Sequence, residues 1–597
     1  MTSSHPPKAP LILNVGVIGH RPGKRLNPEE FERVEGDLTH LLNHFKRSIK
    51  NIKKDHTDIF NKDDPVINII TAMASGSDQL GAKAALERSM PFQAVLPFFR
   101  EEYAADFTLG SELDDYNSLL KQANNIFELP GQRDDEPLAY EVAGHYVIAK
   151  SDIIITVWDK GPSAGRGGTT ELIEHAKKRG IPVIHIHSHQ NLEPVILSGI
   201  GRELAKDKNL SKTYDQYNKL IKRSVLPTKG SANLKKLDCF FKEKHQRWQP
   251  RFSYPLMLML MLVKKMNISN FYQVSYFSNK DINLENINQH LVDPEATKLE
   301  KFCKTPFAFA DGLGVRYGQL YRSSYVTNFI LAAIAVLLAL LGGVLMDKDY
   351  KMYFVIAETL IIFLILLNIT WNSRRKWHQR CLDYRHLAER LRLSAIWTVL
   401  GSSKQSTFTK QNLQASDRSP NWVSWYALSL SKAIGVPTIR LDAKLLETIK
   451  GELQDISINQ AEYHKKNSEI MEKLDHRLHK FGLALFGITF LACFMYIASY
   501  LNEYIYNFVN ADWVTLITAT LPAFGAAIYG IRVNGDFKKI ASQSSHSNKQ
   551  LTVITNKLKD EKLNYHLLHD FADEMDSIML EDVSDWRHIF ESKEIDL

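Results

Sequence analysis

The chain has 597 residues, with 74 Lys+Arg against 67 Asp+Glu, 44% hydrophobic residues and four cysteines. A mean hydropathy of −0.23 excludes a transporter built of spans throughout, yet leaves room for a few membrane segments in a largely soluble protein. The formal charge of +7 is too diffuse to imply nucleic acid, and Cys239, Cys303, Cys381 and Cys493 lack CxxC or Cys/His ligand spacing, which argues against a disulfide framework and a structural zinc and for a reducing cytosol.

The first residues, MTSSHPPKAP, carry no apolar h-region or cleavage site, so membrane targeting is expected from internal segments. Residues 11 to 187 then alternate apolar strand-like runs with amphipathic helices, the pattern of a parallel sheet covered on both faces. LILNVGVIG (11 to 19) is the first strand, and VINIITAM, QAVLPF, NIFEL, IIITVW and PVIHI supply others. Asn27, Pro28 and Glu30 read as a capping box opening a helix whose inner face is Phe31, Val34, Leu38, Leu41, Phe45 and Ile49. The expected fold is an α/β Rossmann-like domain over residues 1–190, with ligands beyond the carboxyl ends of the strands.

Three loops fall at those ends. Gly19, His20 and Arg21 close the first strand; Ser75, Gly76, Ser77 and Asp78 join the second strand to a helix; Arg166, Gly167, Gly168, Thr169, Thr170 and Glu171 open another helix after Trp158 and Asp159. Glycines let the backbone approach a phosphate, helix-start amides point at it, and Arg21 or Arg166 supplies charge-assisted bonds. Singly, the first loop also reads as a turn with a surface arginine, and the second as a helix start capped by Ser75 or Ser77. Together they predict a nucleotide or phosphoribosyl pocket. The absence of GxGxxG and GxxxxGK[ST] disfavours classical NAD binding and a P-loop NTPase. His185, His187 and His189 alternate on a strand end, but without acidic neighbours no metal is expected.

Taken in order, Gly19-His20-Arg21, Ala74 to Asp78, Leu96-Pro97, Tyr140-Glu141, Ser151-Asp152, Trp158-Asp159 and Gly165 to Glu171 resemble the SLOG superfamily of LOG/lysine-decarboxylase-like and DprA-like Rossmann domains. The resemblance covers the first third of the chain. It implies binding of a nucleotide-derived ligand, such as a cyclic oligonucleotide or an ADP-ribose/NAD derivative, and in the LOG branch hydrolysis of an N-glycosidic bond. The family loop PGGxGTxxE is only approximated by GRGGTTE, which puts catalysis in question before binding.

Residues 191–320 are polar with interspersed aromatics and read as a coupling region; within them YPLMLMLMLV (254 to 263) is too short to span and reads as core. Four apolar runs follow: 323–346, about 36 Å long as a helix, 352–373 with one charge at Glu358, 481–502 and 513–531. They predict four transmembrane helices in two hairpins joined to long cytoplasmic helices. Arg316, Arg322, Arg374, Arg375, Lys376, Lys473, Arg477, Lys480, Arg532, Lys538 and Lys539 flank the outer ends of these pairs, whereas the turns 347–351 and 503–512 are charge-balanced or free of Lys and Arg. The positive-inside rule then places both termini in the cytoplasm. Each pair is followed by a helical stretch and a tryptophan motif, SPNWVSWY around Trp422 and DVSDWRHIF around Trp586, so residues 321–435 and 436–597 read as two related units or as two unrelated hairpins with similar linkers.

These paired runs, with YRHLAERLR (384 to 392), resemble SLATT domains, two-span effector modules found beside SLOG domains in bacterial conflict systems. The combined resemblance implies a nucleotide-signal-gated effector of the inner membrane, used in anti-phage defence and forming or gating a pore as a homo-oligomer. Glu358, Asn368 and Pro522 are the candidates for pore lining or gating. A membrane-anchored N-glycosidic hydrolase and a ligand-free membrane scaffold are the competing expectations.

Overall fold

A computed structural model describes residues 5–23, 25–163, 165–198, 214–227, 230–244, 252–265, 285–346, 348–401, 421–501, 510–562 and 564–591. Asp347, residues 502–509 and the side chains around Trp586 lie outside the described residues, and so do large parts of the expected coupling region.

The amino-terminal segment is the expected α/β domain. Its elements are β1 (Ile12–Gly19), α1 (Phe31–Asp55), β2 (Val66–Thr71), α2 (Ser77–Glu87), β3 (Phe92–Leu96), α3 (Ser111–Gln122), β4 (Asn125–Glu128), α4 (Glu136–Lys150), β5 (Ile153–Trp158), α5 (Thr169–Lys178), β6 (Val183–His187) and β7 (Val195–Ser198). β1, β3 and β5 are almost continuously buried, as strands covered on both faces must be. The α1 face predicted from 3.6-residue periodicity is buried from Val34 to Ile49. The capping box is not formed. Pro28–Glu30 makes a separate 3₁₀ turn, the Asn27 amide meets Glu29, and Glu30 pairs instead with Arg33 at 2.6 Å.

The sheet has eight strands in the order β7-β6-β5-β1-β2-β3-β4-β8. All neighbours are parallel except β6 and β7. The chain winds outward from β1 through β4 and then returns to place β5 on the other side of β1. This reversal opens a crevice at the carboxyl ends of β1 and β5.

The eighth strand comes from far along the chain. β8 (Ile439–Arg440) pairs with Phe127 and Glu128 of β4, and the Leu441 amide continues the ladder to the Glu128 carbonyl at 3.0 Å. Sequence reasoning missed β8 because a two-residue strand has no periodicity to detect.

The remaining chain is mostly helical. It comprises α6 (Tyr214–Val225), α7 (Ser231–Phe241), α8 (Ser253–Leu260), α9 (Thr305–Leu340), α10 (Lys348–Arg375), α11 (Trp377–Arg392), α12 (Asn421–Ile434), α13 (Ala443–Leu501), α14 (Ala511–Gly535), α15 (Phe537–Asp560) and α16 (Tyr565–Glu591), besides short turns. Among the described residues, four segments, Asp293–Val344, Tyr350–Leu400, Ala443–Leu501 and Ala511–Asp560, are long and apolar enough to cross a membrane. Along α10 and the end of α13, large apolar side chains such as Leu360, Phe363, Leu366, Phe490 and Phe494 stand exposed. In water such a surface is costly.

One succession of elements occurs twice. A long helix (α9, α13) packs on an apolar helix (α10, α14); a left-handed residue (Lys376, φ 50°; Asp536, φ 45°) ends that helix; and a polar helix (α11, α15) returns along the long one. Gly451 does not interrupt α13, and Pro522 lies within a continuous α14. Asn368 on α10 donates to Asn328 of α9 at 2.7 Å and to the Ser324 carbonyl at 3.2 Å, a polar clasp between apolar helices. Glu358 is partly exposed on α10. α8 is half core: Tyr254, Met257 and Leu258 pack among α9, α13, α14 and α15, whereas Leu256, Met259 and Leu260 are exposed.

The two parts share one hydrophobic core, running from Ala9 through the sheet to Leu400, Leu453 and Met579. α12 holds the chain at the amino ends of β1 and β5, where Tyr426 donates to the Pro7 carbonyl and Lys432 lies 2.5 Å from Asp152, and Trp425 donates to the Val225 carbonyl at the end of α6. Burial raises the Asp152 carboxyl above its ordinary value, against the nearby Lys432 charge and the Asn14 amide. Lys432→Met is expected to destabilise the protein by about 3–5 kcal/mol, because it strands a buried carboxylate. Asp152→Asn/Lys432→Met should recover most of that loss in chemical unfolding of the detergent-solubilised chain.

Candidate functional site

At the crevice the ends of β1 and β5 are tied by side chains. His20, 7% exposed, has Nε2 2.9 Å from Asp159 Oδ1, while its Nδ1 lies 3.4 Å from the Thr169 hydroxyl. Burial lowers the His20 pKa despite Asp159, favouring a neutral ring that donates through Nε2 and accepts at Nδ1. Burial works against the Asp159 carboxylate, but the Gly161 amide, His20 and Arg25 together hold its pKa below the ordinary value. Thr170 accepts from Trp158 Nε1 at 3.1 Å and donates to the Gly161 carbonyl, closing the third loop onto the same strand end.

The second loop joins from β2. Gly76, φ +87°, occupies the position before α2, where a Cβ would stand 2.8 Å from the His20 carbonyl. Ser77 donates through both its amide, at 3.2 Å, and its hydroxyl, at 2.9 Å, to that carbonyl. Neither serine caps α2 through its side chain: Ser75 donates to Glu112 on α3, and Ser77 is drawn to His20. Gly19 is required for packing too, since a Cβ would stand 2.5 Å from the Ser77 hydroxyl. The three predicted loops therefore do converge, and much of their glycine and serine content serves that convergence.

Beside them the predicted Arg21 joins a charged group whose other members, Asp106 and Arg133, sequence reasoning passed over. Arg21, 50% exposed at its side chain, lies over the Tyr140 ring at 5.0 Å and 3.7 Å from Asp106. Asp106 accepts from Arg133 at 2.6 Å and from the Tyr140 hydroxyl. Tyr140 and Asp159 were visible within the stretches that carry the family resemblance; Asp106, in the unpatterned run AAD, gave no signal. Asp78 is buried, and desolvation pushes its carboxyl up to about 7 against backbone amides of the 72–74 loop, Thr71 and the Arg21 charge.

In the third loop, Gly167 at φ +74° donates its amide to Glu171 at 2.7 Å, and Arg166 pairs with Glu141 on α4. Glu171 is thus occupied in shaping its own loop. Helix geometry leaves the amides of Thr169, Thr170 and Glu171 without intrahelical acceptors at the start of α5, beside His20. The crevice can consequently offer an anion helix-start amides and the Arg21 guanidinium. Of the three histidines on β6 and beyond it, His185 bonds the Trp158 carbonyl at 2.8 Å. Among the described residues no cluster has the make-up of a metal site.

Comparison with models of known protein families and with curated proteins returns no match.

The Asp78 shift has a definite sign. Its folded pKa lies above its unfolded value, so its contribution to stability is full below about pH 4 and is lost as pH rises through about 7. Unfolding free energy should fall between about pH 5 and about pH 8 by a few kcal/mol, and Asp78→Asn should flatten that dependence.

Proposed function

We propose that the chain is a nucleotide-signal-gated effector of the bacterial inner membrane, with a SLOG-type sensor and paired SLATT-type spans. The observation that carries this reading is the path between its two ends. The carboxyl-end crevice faces away from α12, while β8 runs from the sheet edge through Asp442, which caps α13 at the Leu445 amide at 2.9 Å, into one continuous helix ending in an apolar segment. A ligand that shifts β4 or the shared core therefore acts directly on α13. Gating requires that the ligand bind one arrangement of the helices better than another.

In this reading α9/α10 and α13/α14 form two membrane hairpins with both termini cytoplasmic, and conduction takes a homo-oligomer, because four spans enclose little space. The ligand is a cyclic oligonucleotide or an ADP-ribose/NAD derivative whose phosphate sits between Arg21 and the start of α5. Sensing is favoured over N-glycosidic hydrolysis, since Glu171 already accepts its own loop's amide. Defence against phage is the setting in which such a permeabilising switch would act.

The test is calorimetry of the full-length protein in detergent against cyclic oligonucleotides and ADP-ribose derivatives, with product analysis, beside membrane depolarisation in cells. Arg21→Gln is expected to weaken binding at least about tenfold, as loss of a charge-assisted phosphate contact should, and to abolish ligand-dependent depolarisation. A depolarising response left intact in Arg21→Gln would refute the sensor assignment, and turnover of the ligand would favour the hydrolase.

A further inference from the structure

A second cluster of cations, sharing no residue with the crevice, lies where α10 turns into α11. α10 ends at Arg375 and α11 begins at Trp377, with Lys376 between them in the left-handed region, a conformation unfavourable for a residue with a side chain. That turn brings Arg374, Arg375, Lys376 and Arg380 to one wall of a cavity of about 390 Å³. Lys235, Lys236 and Cys239 of α7 form another wall. The cavity is thus lined by six cations and a single carboxylate, Asp383.

Two of those cations are already engaged. Lys236 lies 3.4 Å from Asp383, and Arg380 donates at 2.9 Å to Glu243, which also accepts from the hydroxyls of Tyr317 and Tyr384. Among the described residues, Lys235, Arg374, Arg375 and Lys376 have no ion-pair partner. Gathering like charges around a concavity is unfavourable unless an anion occupies it, and guanidinium and ammonium groups together match the several oxygens of a phosphate.

We propose that this cavity binds a phosphate-bearing anion, either the headgroup of an anionic phospholipid or a soluble polyphosphate. Its position suits the first source, because Arg374 and Arg375 form the last turn of an apolar helix. The lipid source rests on the membrane reading above; the cavity itself does not. An occupant would touch both α10 and the start of α11, whose Asp383 accepts from the buried Trp422 of α12 at 3.4 Å. The site would thereby relay what lies at the bilayer surface to the helix that holds the sheet.

Cys239 gives a direct readout, since it is an exposed free thiol on the cavity wall. Its alkylation rate would be followed by peptide mass spectrometry on the full-length protein, with the probe-free sample in the same detergent or disc type as reference. The probes are inorganic pyrophosphate in detergent, and nanodiscs of phosphatidylcholine with or without phosphatidylglycerol. At ten times its dissociation constant a ligand should slow Cys239 labelling about tenfold. Lys235→Gln/Arg375→Gln/Lys376→Gln should abolish that protection. Protection in phosphatidylglycerol discs alone assigns a lipid headgroup, and protection by pyrophosphate assigns a soluble anion. Equal Cys239 labelling under all conditions overturns the proposal, as does protection that survives in the triple variant. If the variant does not fold, the wild-type comparison decides alone. A chain that stays in the aqueous fraction would refute the membrane reading, and the pyrophosphate arm would still report on the cavity.

Discussion

Everything in this molecule depends on a hydrophobic core that does not stop at the edge of the sheet. Buried side chains run without a gap from β1 through α12 and α11 to α13 and α16. Because closely packed interiors transmit strain, a displacement of the sheet bears on the polar helices packed against it. The short β8 ladder and the Asp442 cap add a hydrogen-bonded route along the same line.

The geometry of docking decides which surface is left for ligands. Tyr426 and Lys432 hold the chain at the amino ends of β1 and β5, so the carboxyl ends, with His20, Arg21 and the start of α5, are not part of that contact. Within the crevice several polar groups are already committed to one another: Ser77 to His20, Gly167 to Glu171, Arg166 to Glu141. What is left for an incoming anion is chiefly amide hydrogen and the half-exposed Arg21. That composition suits recognition of charge and shape more than bond cleavage.

At the other end, apolar surface and positive charge are separated along the helix axes. Leu360 and Phe363 are exposed along α10, while Arg374, Arg375 and Lys376 gather where that helix ends, and Arg532 stands near the end of α14. The two left-handed breaks, at Lys376 and Asp536, stand at this boundary and turn the chain back along α9 and α13. Two similar left-handed turns thus stand in corresponding places of the repeated succession of helices.

Periodicity alone determined the parallel strands from Ile12 to His187, the inner face of α1 and the four apolar helices, because each is a local pattern of burial repeated over many residues. The three glycine-bearing loops were legible for the same reason, since each follows a strand. Tertiary structure alone decided that β8 belongs to the sheet, that Glu30 turns to Arg33 in place of the cap, that Asp106 stands beside Arg21, and that Lys235 meets Arg375 across a cavity. Those are pairings between residues far apart in the chain or choices between nearby charge partners. Such contacts leave no local trace, because the energy that selects them exists only once the intervening chain has folded.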